Sequence, residues 1–284
     1  MSMTKGRGTP RKRKPPVGGD NAALAGELTG VFVRQTLALT REELRHWAGQ
    51  KGVLSRRVGD VLHAPFKPPE VPKPDIAVPG PRSMRLPPLE EISTLDSSRW
   101  LEVWQRVYWE ITGIEPGFQN ISVPADPGGF GWVIVATPEV PLNRFWAGLR
   151  EKFFCWCYGG DDLKSLLNWE REQRSYRNGA NAIRVRPREE ADEEFASRSA
   201  AWLAERGTKT ITLPERAYLE GFYWEVSGGK HLDVRNHTLC AGSRDRDGFV
   251  PSAYWSAGGA EFRVYWYDVR LADPLIRARE VVSV

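Results

Sequence analysis

From Ser93 to Gly113 the apolar residues recur at steps of three and four: Trp100, Val103, Trp104, Val107, Tyr108 and Ile111. That spacing predicts a helix with one heavy apolar stripe, and Gly113 stands where the helix should stop. The pattern then changes. "GWVIVAT" (131–137) reads as a short buried strand, and "PLNRFWAGLREKF" (141–153) as a helix opened by Pro141. "FCWCY" (154–158) and "NAIRVRPR" (181–188) read as strands, the latter with Ile183 and Val185 alternating against Arg184 and Arg186. "EEADEEFASRSAAWLAERG" (189–207) reads as a helix whose acidic first turn suits the helix dipole.

A final block follows. Thr212 and Glu215 have capping-box spacing, Pro214 sits inside the first turn, and Gly228-Gly229 ends the helix. Beyond it come short strands broken by Gly, Asp and Pro. The last is "EFRVYWYDVRLADPLIRARE" (261–280), where Phe262, Val264 and Trp266 alternate with Arg263, Tyr265 and Tyr267. Side chains on a strand point alternately to opposite faces, so the first set is expected in the core and the second outside.

Towards the N-terminus, "FVRQTLALTREELRHWAGQKGVLSRRVGDVL" (32–62) reads as helical, with Thr40 and Glu43 as a capping box. Between 63 and 91 there are nine prolines in 29 residues, which predicts an extended linker and a domain boundary. The expected organisation is a disordered basic tail (1–30), a helical segment (31–64), a Pro-rich linker (65–93), an α/β block (94–208) and a C-terminal region (209–284). That last region can share a domain with part of the block before it. The fold class is α+β.

Charge modifies this picture in one place. The net charge is +4, yet Lys5, Arg7, Arg11, Lys12, Arg13 and Lys14 supply six cations within the first 14 residues. Without them the remainder is near −2, so the basic character belongs to the tail and not to the body. A tail of this kind binds nucleic acid or other polyanions weakly, or only solubilises. No apolar run reaches the roughly 20 residues of a membrane helix, and no secretory signal is visible, so a cytoplasmic location is expected.

The candidate chemistry is sparse. His231 with Asp233 has the makings of an oriented base, but no nucleophile elbow or reactive-cysteine signature accompanies it. Cys155 and Cys157 point the same way on a strand, with only Cys240 and scattered histidines to complete a zinc site, so buried free thiols are expected. Asp161-Asp162 and the acids of 189–194 lack metal-loop spacing, and no phosphate loop occurs. Neither enzymatic activity, cofactor nor metal is expected. Trp169, Arg171, Arg174, Tyr176, Arg177, Arg184, Arg186 and Arg188 mix cations with rings, as single-stranded nucleic-acid surfaces do, and with the tail they form the alternative, nucleic-acid reading.

"LDSSRWLEVWQRVYWEITG", "FWAGLREKFFCWCYGGDDLKSL", "NAIRVRPREEADEEFASRSA" and "TLPERAYLEGFYWEVSGGKHLDVRNHTLCAGSR" resemble a family of uncharacterised proteins from host-dependent bacteria of the candidate phyla radiation. That resemblance brings no activity with it. "TLCAGSR", Tyr254-Trp255, "RVYWYDV" and "RAREVVS" resemble the end of a C-type lectin-like domain of the formylglycine-generating-enzyme type. The same region in variable proteins of diversity-generating retroelements carries hypervariable ligand-binding positions. The resemblance implies a C-type lectin-like C-terminal region with Arg244, Asp245, Arg246, Asp247, Tyr254, Arg263, Tyr265, Tyr267 and Asp268 as contact residues. It also implies a binding or display protein whose ligand is another protein or a surface.

Overall fold

Two helices and a strand organise the interior of the protein, which is described from a computed structural model covering residues 85–118 and 120–284. The basic tail, the helical segment 31–64 and the linker up to residue 84, with His46 and His63, lie outside the described residues. The folded body begins inside the stretch read as linker. Leu89–Ile92 (α1) forms one helical turn and buries Ile92, so packing starts before residue 93.

Ser97–Thr112 (α2) is the striped helix. The Asp96 carboxylate accepts a hydrogen bond from the Arg99 amide at its start, and Gly113 ends it at φ 69°, where a side chain would be strained. Its buried stripe lies on Trp132–Ala136 (β1). Trp104 Nε1 donates to the Val133 carbonyl at 2.8 Å and Tyr108 Oη to the Val135 carbonyl at 2.7 Å, so the helix carries polar anchors as well as apolar contact. Leu142–Lys152 (α3) follows, with Pro141 as its N-cap.

Leu213–Ser227 (α6) runs through the centre. The expected capping box is present, with Glu215 N donating to Thr212 Oγ1 and Thr212 N donating to Glu215 Oε2 at 2.7 Å. Every residue from Leu213 to Tyr223 is buried. Phe222 meets Trp100 and Trp104 of α2, each at 5.6 Å between ring centroids, and Phe145 of α3 meets Tyr218 edge-on at 4.8 Å. Such close helix crossings need small residues. A Cβ on Gly148 would lie 2.1 Å from the Ile111 carbonyl oxygen, and one on Gly221 would lie 2.5 Å from Ile111 Cδ1.

The remaining elements are Phe154–Cys157 (β2), Leu163–Leu166 (α4), Asn181–Val185 (β3), Ala200–Glu205 (α5), His237–Leu239 (β4), Val250–Ser256 (β5), Glu261–Tyr267 (β6), Ile276–Ala278 (β7) and Val282–Ser283 (β8). They form two sheets. One is antiparallel with order β1-β3-β8; the other is mixed, with order β2-β6-β5-β4-β7. The class is α+β. Both sheets draw strands from either side of residue 208. β8 pairs with β3 (Ile183 opposite Ser283), and β2 pairs in parallel with β6 (Phe154 opposite Glu261).

The acidic stretch 189–207 is not one helix. It makes a single 3-10 turn at Glu193–Phe195 and becomes α-helical only at Ala200, where Ser199 caps α5. The reason is long-range. Asp192 is drawn inward to pair with Arg186 at 2.8 Å and to accept the Glu280 amide at 2.8 Å, which bends the chain away from a helical path. Among the described residues no helix is long and apolar enough to cross a membrane.

Candidate ligand-binding face

The five-stranded sheet has two unlike faces, and strand alternation decides which residue joins which. Cys155, Cys157, Phe262, Val264 and Ala253 point into the main core. The opposite face is covered at one end by α5, where Ala200 and Leu203 pack on Leu239, Val250, Ile276 and Ala278. Away from α5 that outer face carries rings and polar groups.

The register lays them out. Trp156 of β2 is opposite Arg263 of β6, and Arg263 is opposite Tyr254 of β5. The Tyr254 ring stacks on His237 of β4, with centroids 3.6 Å apart and planes 9° apart. Four strands thus contribute one row: Trp156, Arg263, Tyr254 and His237. One step along β6 lies Tyr265, nearly parallel to Trp156 at 6.3 Å and 15°, and in contact with Tyr158 at 5.2 Å and Tyr267 at 5.4 Å. Arg263 lies 5.4 Å from the Trp156 ring centroid and donates through Nε to Glu261 at 2.9 Å. This cation is held in place by a carboxylate and a ring.

Burial shapes the ionisation here. It pushes the Tyr267 hydroxyl up to about 12, with Tyr254 and Tyr265 adding to the effect, so that hydroxyl stays a neutral donor. Burial also holds His237 below the usual histidine range, favouring a neutral imidazole. Cys155 and Cys157 turn inward together, as expected, and both are free and buried. Burial raises the Cys157 thiol to about 12. Among the described residues no cluster of three or more His, Cys, Asp or Glu side chains is placed to hold a metal ion.

Not every expected contact residue reaches this face. Phe262 and Val264 are fully buried, but Trp266, expected with them, is only half-buried. Its Nε1 donates to the Tyr158 carbonyl at 2.9 Å, which keeps the indole at the border of the core. Tyr267, expected outside, leans partly on the apolar cluster beneath α5. Arg244 folds back onto its own loop and donates to the carbonyls of Ala241 and Ser243 at 2.8 and 2.6 Å. Asp245 accepts the amides of Asp247 and Phe249, and Asp268 that of Arg270; both are turn-forming acceptors. Arg246, Asp247 and Asp268 are exposed. Trp156, Tyr158, Glu261 and His237 were missed. Trp156 could have been found, because if Cys155 and Cys157 point inward the residue between them points outward.

His231 and Asp233 belong to a different structure. Asp233 is completely buried, 2.9 Å from Arg216 and 2.6 Å from Arg279, and accepts a hydrogen bond from Thr238. Burial alone would raise its pKa; Arg279 and Arg216 reverse this and hold the carboxyl below its ordinary value. Arg216 also pairs with buried Glu220 at 2.8 Å, and Glu220 reaches His231 Nδ1 at 2.8 Å. The His231 ring lies flat on Trp255 at 3.3 Å and against Trp224 and Phe153. Arg279 donates to the carbonyls of Arg188 and Glu189. These groups bind α6, β4 and the C-terminal strands together.

The arginine-rich segment is likewise drawn into the fold. Arg174 pairs with Glu215, Arg186 with Asp192 and Glu280, and Arg188 with Glu194. Arg184 is buried, donating to the Pro124 carbonyl at 2.5 Å, and Tyr176 is buried with its hydroxyl accepting the Leu142 amide. Arg177 lies over Trp169. Arg174, Arg186 and Arg188 thus meet acids and Arg184 meets carbonyl oxygens, whereas Arg171 and Arg177 are exposed.

Comparison with models of known families, with curated proteins and with solved structures finds no match.

Proposed function

We propose that this chain is a non-enzymatic binding protein whose ligand surface is the outer face of the five-stranded sheet. One observation carries the reading: Trp156, Arg263, Tyr254 and His237 form a row across four strands, with Tyr158, Tyr265 and Tyr267 beside it. Tyr, Trp and Arg supply large contact area and several hydrogen bonds at low entropic cost, which is why they dominate binding hot spots. The rigid sheet beneath holds their geometry. The non-enzymatic part is supported by His231 and Asp233, both committed to the buried ion-pair network.

In finer terms, the C-terminal region is C-type lectin-like and its ligand positions are of the diversified kind. This is supported by Tyr254, Arg263, Tyr265 and Tyr267, all named by that resemblance, lying on one face of one sheet. The neighbouring DNA tests it. A near-copy of the 3′ coding region, differing at adenines and altering the codons of these four residues, beside a reverse transcriptase gene, is the expected result. A near-copy altering core codons such as Phe262 and Val264 would refute the diversified reading.

The ligand reading is tested separately by panning a displayed peptide library on the full chain and on its Trp156→Ser/Tyr265→Ser variant. Clones enriched at least tenfold on the parent over the variant are expected. Equal enrichment on two equally stable proteins would overturn it.

A further inference from the structure

Arg171 and Arg177 stay outside the ion pairs that take up the rest of the arginine-rich segment, and both are exposed. The fold brings Arg244 and Arg246 beside Arg171. Loop 167–173 is laced to 242–249: Leu167 bridges Asp245, and the amides of Asn168 and Gln173 donate to the Arg244 and Gly242 carbonyls at 2.8 and 2.9 Å. Arg171 Nη1 lies 3.4 Å from where a Cβ on Gly248 would stand. Its guanidinium therefore rests on the turn that carries Arg246 and Phe249.

These cations lack a counter-charge. Among the described residues no carboxylate pairs with Arg171, Arg177, Arg244 or Arg246. Arg244 is fixed by two hydrogen bonds from Nη1 to its own loop, which leaves Nε and Nη2 without a protein partner. Burial holds this guanidinium below its usual pKa and Arg171 adds to the effect, against Glu172. Glu172 is itself pushed up to about 8, so it stays mostly neutral near pH 7. Asp245 holds the turn through the Asp247 and Phe249 amides, while Glu170 and Asp247 are exposed and pair with none of the four arginines. Like charges gathered without an anion favour an anionic ligand.

Rings stand among them. Phe249 is 43% exposed, and Trp169 is half-buried, its Nε1 donating to the Lys164 carbonyl at 2.9 Å with Arg177 over the ring at 5.3 Å. Guanidiniums mixed with aromatic faces hold single strands, since phosphates meet the cations and unpaired bases stack on the rings. A duplex keeps its bases in its own stack and heparin has none, so either offers this surface charge alone.

We propose that the surface formed by Arg171, Arg177, Arg244, Arg246, Trp169 and Phe249 binds single-stranded nucleic acid, with phosphates on the arginines and a base on Phe249. It shares no residue with the ring row of the five-stranded sheet and stands or falls independently of it.

The test is fluorescence anisotropy of a labelled single-stranded 12-mer with the full chain at about 200 mM salt, where charge-only binding by the basic tail is weak. The parent should bind this strand at least fivefold more tightly than an abasic strand of equal length and charge, the size of one base stacked on a ring. Phe249→Ala should remove that preference. Arg171→Ala/Arg246→Ala should weaken binding at least tenfold and flatten the slope of log affinity against log salt by about 1.4, at about 0.7 per lost phosphate contact. Should that variant melt below the parent, Arg177→Ala/Arg246→Ala replaces it with the same expected loss. Equal affinity of the parent for the two strands overturns the proposal, as does an absence of binding. A folded arginine variant that binds like the parent overturns it too.

Discussion

Replacing Glu172 by Gln should remove much of the protein's loss of stability between acid and mildly alkaline pH. Glu172 is half-buried where the loop 167–174 meets the segment 242–245. Asn168 N donates to the Arg244 carbonyl at 2.8 Å, Gln173 N to that of Gly242 at 2.9 Å, and Ser243 Oγ to Glu172 Oε2 at 2.9 Å. Burial pushes the carboxyl from 4.5 up to about 8, and nearby Glu215 adds to this against Ser243, the Arg244 amide and Arg174. Its other oxygen, Oε1, is buried without a hydrogen-bond partner. The folded state therefore holds a proton that the unfolded chain releases. Below pH 4.5 both states are protonated; between 4.5 and 8 only the folded state is, so stability falls as pH rises across that window. At about 1.4 kcal/mol per pH unit the contribution is on the order of 5 kcal/mol. Gln keeps an oxygen for Ser243 and never ionises. Urea unfolding of both full-length proteins at pH 5, 6, 7 and 8 is the assay. The difference between them isolates this group from other titrations, and the advantage of Gln should grow with each step in pH. Parallel stability–pH curves for the two proteins would refute the reasoning.

Asp233→Asn should destabilise by roughly 3–5 kcal/mol in urea unfolding, because it leaves two buried guanidiniums, Arg216 and Arg279, without their shared counter-charge. Gly148→Ala should cost about 3 kcal/mol, by forcing α2 and α3 apart where a Cβ would meet the Ile111 carbonyl at 2.1 Å; a melting temperature within a degree or two of the parent would show that the helices yield easily. Trp266→Ala should cost about half of the 3–5 kcal/mol typical of a fully buried ring, since the indole is only half-buried, and denaturant midpoints will show it. Deleting residues 1–30 should abolish weak binding to heparin or DNA, binding that in the intact chain falls steeply between 50 and 200 mM salt, with the melting temperature unchanged.

Much of the local structure was legible in the sequence because its causes are local. The stripe from Trp100 to Ile111, its stop at Gly113 and the Thr212/Glu215 capping box depend on residues within one or two helical turns of each other. The alternation in 261–267 correctly placed Phe262 and Val264 inside, and the Cys155/Cys157 spacing placed both thiols together. Tertiary structure decided what depends on partners far along the chain. Arg216, Glu215 and Glu220 are charged, so periodicity would set them in water; they are buried because Asp233, Arg174 and His231 arrive from elsewhere to meet them. Arg186 looked like a surface cation until Glu280, 94 residues away, reached it, and the same convergence bent the acidic run at Asp192 out of a helix. The candidate face divides in the same way. Alternation along β6 indicated Arg263 and Tyr265, but only the parallel pairing of β2 with β6 set Trp156 and Tyr158 beside them, since pairing across a hundred residues is fixed by the shared core and not by any local signal.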